Sequence, residues 1–230
     1  MYRGQDIGDA ESLLGKCLTA IQMGHPDEIR SLLPHISIVR SPKLKAPLLK
    51  LLQKGNAGQK EVAAIALGSL GDQEAIPSFV RVYRSLRNRR GQGSDALRVA
   101  LILALGEVGH EEAVEALAEL YDLKDSVFQV QRKQLVLLSL GLLAQQGSLK
   151  AEQHLTRVLN ERDEGTRVEA LFELAVAYWH RPNQIPDALV LRMSSLAREG
   201  GGQINQAALN SLRSLADLGC RPAEEFFQRE

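Results

Sequence analysis

A chain of 230 residues is long enough to bury a core, and its 28 basic and 28 acidic residues cancel, which argues against the dominant basic surface of a general nucleic-acid binder. Apolar residues make up 44 % and charged residues 24 %, the balance of a folded and not a disordered protein. Aromatics reach only 4 %, so the core must be Leu, Ala, Val and Ile, which suits closely packed helices and disfavours a β-sandwich.

The chain opens on Met1-Tyr2-Arg3-Gly4-Gln5-Asp6, with no apolar signal core, and no apolar run reaches the roughly 20 residues of a membrane span. Apolar spacings of three and four residues predict helices near 9–23 and 26–33, short and unlike the rest, forming an N-terminal cap over 1–41. Residues 42–160 carry regular helices near 42–54, 58–70, 74–87, 94–108, 111–122, 127–145 and 149–160. Residues 161–230 carry divergent ones near 165–179, 186–198, 203–218 and 222–229. The expectation is one all-α domain over 1–230, an α-solenoid of about five to six helix pairs. The ends of a solenoid are far apart, so Cys17 and Cys220 are expected as reduced thiols of a cytoplasmic protein. Residues 1–100 carry 15 Lys/Arg against 9 Asp/Glu, net +6, and residues 101–230 carry 13 against 19, net −6. Either surface charge is merely uneven, or the split supports head-to-tail contact between copies or with a partner of mixed charge.

Internal repetition is the strongest signal. Ala66-Leu67-Gly68-Ser69-Leu70-Gly71 recurs as Ala104-Leu105-Gly106-Glu107-Val108-Gly109, and a third copy reads Leu138-Ser139-Leu140-Gly141-Leu142-Leu143-Ala144. Gly68, Gly106 and Gly141 lie 38 and 35 residues apart, the period of a two-helix repeat. In the second copy Leu97, Ala100, Leu101, Ala104, Leu105 and Val108 form one apolar stripe. Ser94 and Asp95 stand where its N-cap and first turn belong, and Gly109 where it should end. A glycine inside a helix costs about 1 kcal/mol relative to Ala. Its recurrence at one repeat position predicts that neighbouring helices approach closely there.

These residues resemble the HEAT-like repeat of phycobilisome lyases and many bacterial proteins. That pattern is a helix opening near a Pro, a polar turn, then V-R-x-x-A-x-x-A-L-G. Ala75-Ile76-Pro77 leading to Arg98-Val99 and Ala104-Leu105-Gly106 match it. The match holds over 42–160, weakens at 174–180 and keeps only its spacing at 209–216. The resemblance implies that the second helix of each pair lines a concave face, here 58–70, 94–108, 127–145, 165–179 and 203–218. It also implies a lyase-like or chaperone-like factor acting on phycobiliproteins as one functional reading. A HEAT-like DNA-repair enzyme is a further analogy of fold, disfavoured by the neutral charge and single Trp.

Candidate contact residues follow from departures and recurrences. Eight residues before the repeat glycine stand Lys60, Arg98 and Lys133, with Arg167 and then Asn205 on the same register. The resemblance implies a ladder along the inner helices bonded to acidic turn residues; the alternative is a basic stripe that grips an acidic partner. The connection 84–93 concentrates Arg84, Arg87, Arg89 and Arg90 before Gly91-Gln92-Gly93. It is a solvated helix end or an anchor for carboxylate or phosphate. Glu107, Glu111, Glu112, Glu115, Glu119, Asp122 and Asp125 give the next helix an acidic face that the arginines could satisfy. Glu169 and Glu173 stand four apart on a second helix, as a solvated surface or a carboxylate pair. In Tyr178-Trp179-His180-Arg181-Pro182, Trp179 either fills a gap between repeats or, with His180 and Arg181, serves recognition.

The five histidines are scattered singly, and no zinc, phosphate-loop or nucleophile-elbow motif occurs. No catalytic residue, metal or cofactor is therefore expected, although a site assembled from distant repeats stays open. The preferred reading is a non-enzymatic adaptor that holds another protein along its inner helices and the arginine loop.

Overall fold

The computed structural model describes residues 5–87, 89–124, 128–199 and 202–228. Asn88 of the arginine connection and Asp125 of the acidic face lie outside them, as do the expected helix limits 127 and 229.

Among the described residues the chain is all-α. In chain order the helices are α1 Gln5–Met23, α2 Pro26–Val39, α3 Lys45–Lys54, α4 Ala57–Ser69, α5 Ile76–Ser85, α6 Gln92–Val108 and α7 Glu111–Asp122. They continue as α8 Gln129–Gln145, α9 Leu149–Val158, α10 Glu164–Ala177, α11 Asp187–Glu199, α12 Gln203–Asp217 and α13 Arg221–Gln228. Every expected helix is present. Short 3₁₀ turns at Pro42–Leu44, Gln73–Ala75 and Pro182–Gln184 lead into α3, α5 and the approach to α11.

Several helices differ from expectation at their ends: α1, expected to be short and to start near 9, begins at Gln5 and runs for 19 residues, and in α2 and α6 the cause is visible. α2 runs through Pro34, where the sequence predicts a stop. Proline in a helix interior costs about 3 kcal/mol. Here Ile29 and Ile36, seven residues apart on one face and both fully buried, outweigh it. α6 begins at Gln92 with Gly91 as its N-cap, so Ser94 and Asp95 lie inside the first turn. Gly91 sits at φ +118°, and Asp95 is drawn to Arg98 instead of capping. The expected end is observed, with Gly109 in the left-handed C-cap at φ +71°.

The chain divides into two compact units, Met1–Arg132 and Lys133–Glu230, with the division inside α8. Unit 1 is a two-layer stack. First helices α1, α3, α5 and α7 pack in series, α2, α4 and α6 form the second layer, and α3·α4 and α5·α6 join the layers. Unit 2 has the same plan, with α10 packed on α12, α11 on α13, and the pairs α9·α10 and α11·α12 across. Each is a stack of α-solenoid type, in which a helix buries its apolar stripe only against its neighbours.

Local signals set the starts. Asn56 opens α4 with a capping box: its side chain accepts from the Gln59 N–H at 3.0 Å, and the Gln59 side chain accepts from the Asn56 N–H at 2.8 Å. Ser148 and Asp163 cap α9 and α10 by accepting from the backbone N–H groups of Ala151 and Thr166. The recurring glycine has the expected cause. A Cβ at Gly68 would stand 2.8 Å from the Ala104 Cα, so α4 and α6 touch backbone to backbone. Cys17 and Cys220 are buried free thiols.

Candidate functional site

The C-terminal carbonyls of a helix lack intrahelical partners and attract cations or amide donors. This explains the recurrent basic position. Arg98, near the start of α6, is fully buried and donates to the carbonyls of Leu86 at 2.5 Å and Arg89 at 2.6 Å, beyond the end of α5. Its other nitrogen meets Asp95 at 2.6 Å, and its guanidinium lies 5.7 Å from the Phe128 ring centroid. Arg167 of α10 donates to the Leu159 carbonyl at 3.0 Å, and Asn205 of α12 to that of Ala197. In each case the second helix of a pair closes the end of the first.

Two details correct the sequence reading. The acceptors are mainly backbone carbonyls and not acidic turn residues. In α8 the closing residue is the buried Arg132, which donates to the Leu123 carbonyl. Lys133, about 100° further round the helix, reaches Glu161 at 3.3 Å instead. Lys60 makes no comparable bond among the described residues. The alternative of an exposed basic stripe does not describe Arg98, whose side chain is committed inside the fold.

The arginine connection is partly satisfied within the chain. Arg84 pairs with Glu119 of α7, and Arg87 donates to the Lys124 carbonyl at 3.4 Å. Arg89 and Arg90 are exposed. The acidic face of α7 and the arginine connection thus meet at Arg84 and Glu119, and Arg89 and Arg90 lie at the surface beside α6.

Glu169 and Glu173 part company. Glu169 is half-buried, whereas Glu173 is only 2 % exposed, against the expectation of a solvated surface. Burial, with the neighbouring Glu169 charge, pushes the Glu173 carboxyl up to about 7. A Cβ at Gly141 of α8 would lie 2.8 Å from its carboxyl carbon, so the third repeat glycine makes room for this side chain. Phe172, between the two glutamates, is 54 % exposed, and Leu138, one turn from Gly141, is 38 % exposed.

The 178–182 turn is also divided. Tyr178, and not Trp179, fills the interior: its hydroxyl donates to Glu152 at 2.5 Å, and burial followed by that carboxylate raises its pKa. Arg181 pairs with Glu152 at 2.7 Å, donates to the Ala144 carbonyl at 2.5 Å and stacks 4.8 Å from the Tyr178 ring centroid. It therefore closes the end of α8. Trp179 is 44 % exposed and His180 faces solvent.

The apolar spacing did not point to one open feature of the second-helix layer. Between α4 and α6 runs a groove of about 400 Å³, floored by Ile65, Val99 and Leu103 with Glu61 and Glu107 at its ends. From Ala96 to Glu107 it spans roughly 16 Å at 1.5 Å per residue. Glu61 is paired with Arg30 at 2.8 Å, while Glu107 is exposed. The signal was weak because α6 is apolar nearly all round, so its sequence does not separate the groove side from the core side.

Among the described residues, no cluster of three or more His, Cys, Asp or Glu is placed to hold a metal ion. None of their helices is long and apolar enough to cross a membrane.

Residues 97–122, which form most of α6 and all of α7, match the profile of the PBS lyase HEAT-like repeat. The chain is a HEAT-like repeat protein resembling that family. No curated protein matches it. The matched HEAT-like segment holds both the buried Arg98 and the α6 wall of the groove.

Proposed function

We propose that the chain is a non-enzymatic scaffold that holds another protein along its second-helix layer. The observation that carries this is the α4–α6 groove. Ile65, Val99 and Leu103 are only half-buried, and the groove is long enough for about three helical turns or a short extended segment of a partner. HEAT-like stacks suit this role because they offer extended surface without a deep pocket. Arg89 and Arg90, near the start of the same helix, supply a charged margin for steering. The two free thiols fit a reducing cytoplasmic setting.

A photo-crosslinking residue at Val99 tests the groove directly. Irradiation in lysate of the natural host should give a discrete adduct that the same residue at Arg81, exposed on α5, does not give. A smear, or equal adducts from both, overturns the reading. Replacing Arg87, Arg89 and Arg90 together with Ala should weaken capture of that adduct's partner, and unchanged capture at low salt removes the loop from the interface.

The match at 97–122 supports a second reading, a lyase-like or chaperone-like factor for phycobiliproteins. Incubation with a bilin and an apo-subunit tests it, and the absence of coloured adduct or tetrapyrrole binding retires it.

A further inference from the structure

Unit 1 holds a second groove, of about 530 Å³, between the first helices α1 and α3. Ile21 of α1 and Pro47 and Leu51 of α3 supply its apolar walls, and the exposed Lys50 and Lys54 stand along its rim. From Ala46 to Lys54 it runs for roughly 12 Å at 1.5 Å per residue, a little over two helical turns. Its lining includes no acidic side chain among the described residues.

The charge of these walls is one-sided. From Ile29 to Lys60 every charged residue is basic, and α1 carries Lys16 and no acid between Gly15 and Met23. Lys45, on the same helix as the rim lysines, is held by the buried Asp72 at 2.9 Å. No hydrogen bond or ion pair engages Lys50 or Lys54 among the described residues. The α3 dipole accounts for Lys54 in the last turn but not for Lys50 a turn before it. One turn apart, the two ammonium groups raise the same potential over one trough, so an occupant bringing carboxylates is favoured and a cationic one repelled.

Shape selects among acidic ligands. Nucleic-acid phosphates would use the lysines and leave Ile21, Pro47 and Leu51 without a partner. A flat membrane surface would not reach Ile21, which is only 2 % exposed. A ridge of side chains on an amphipathic helix does enter a trough between two helices. Carboxylates four residues apart on that helix match the roughly 6 Å rise from Lys50 to Lys54.

We propose that the α1–α3 groove receives an acidic amphipathic helix of a partner protein. Its apolar ridge lies against Ile21, Pro47 and Leu51, and its carboxylates pair with Lys50 and Lys54. This is a second docking surface, on the first-helix layer, and it stands whether or not the α4–α6 groove is occupied.

The test uses the full chain and a phage-displayed library of single-helix peptides, panned in parallel on the natural chain and on Lys50→Glu/Lys54→Glu. The expected result on the natural chain is an enriched motif with Asp or Glu four residues apart beside an apolar stripe. Its synthetic peptide should bind Lys50→Glu/Lys54→Glu about tenfold more weakly or worse, and so too Ala46→Trp, which fills the trough from its exposed rim. Exchanging the two acids of the peptide for Lys should restore binding to the charge-reversed chain and abolish it on the natural one. A chain that had merely misfolded would show no such rescue. Enrichment of peptides without acids, equal binding to Lys50→Glu/Lys54→Glu, no rescue, or no enrichment overturns the proposal. Displacement of the peptide by duplex DNA or phosphatidylserine vesicles at lower concentration than by unlabelled peptide also overturns it, assigning the lysines to phosphate. Peptides indifferent to both lysines but lost on Leu103→Glu overturn it and leave the scaffold reading of the α4–α6 groove in place.

Discussion

α6 in unit 1 and α10 in unit 2 occupy the same place in the repeat, and each buries one charge. In α6 Arg98 is fully enclosed and meets two carbonyls, Asp95 and the Phe128 ring. In α10 Glu173 is nearly as enclosed and lies against Gly141, with no hydrogen bond or ion pair to it among the described residues. A buried charge with partners fastens a fold, and one without partners strains it. The contrast separates a residue that builds the repeat from one that the repeat merely tolerates.

The largest expected effect breaks the Arg98 side of this contrast. Arg98→Ala leaves the Leu86 and Arg89 carbonyls uncapped and should cost about 3–5 kcal/mol in urea unfolding. Arg167→Ala, which removes a single carbonyl bond from a half-buried side chain, should cost about 1 kcal/mol. Equal costs would mean that burial of Arg98 adds nothing to its capping.

Glu173→Gln probes the other side and should carry the opposite sign. The folded carboxyl titrates near 7 against 4.5 for the ordinary group, so between these pH values the folded state binds more protons than the unfolded state. Stability contributed by this group is therefore greatest below 4.5 and declines as pH rises towards 7. Glu173→Gln should leave stability nearly unchanged at pH 4 and raise it at pH 8 by up to about 3 kcal/mol, read from denaturant curves at the two pH values. A variant less stable at pH 8 would show that the natural carboxylate has a compensating partner.

The glycines sharpen the comparison further. At Gly68 a new Cβ collides with backbone, the Ala104 Cα, so Gly68→Ala should cost about 1–3 kcal/mol. At Gly141 it meets the Glu173 side chain, which can swing outward, and the helix gains about 1 kcal/mol from replacing Gly. Gly141→Ala should therefore be close to neutral and should lower the Glu173 titration midpoint, followed by carboxyl NMR. The smallest effect is expected at Phe172, where Phe172→Ala should change stability by no more than about 0.5 kcal/mol because half of the side chain is already in solvent.

The positions of the thirteen helices among the described residues were legible because apolar spacing, caps and glycines act within a few residues. The ends of α2 and α6 were misplaced where a contact from outside the helix decided: the burial of Ile29 and Ile36 carried one past Pro34, and Arg98 took Asp95 from the other's start. Arg132 was overlooked for Lys133 because one residue of slip in the α7–α8 connection shifts the register by about 100°. Trp179 was the conspicuous residue of its turn, yet Tyr178 and Arg181 face inward.

Periodicity and helix propensity are local properties, so they suffice for an all-α chain of HEAT-like pairs with a recurring glycine that marks close approach. Which side of an all-round apolar helix is covered depends on packing between helices. α6 leaves Val99 and Leu103 half open, and α10 turns Glu173 inward and Phe172 outward, because burial is set by the neighbouring helices and not by the helix that carries the residue.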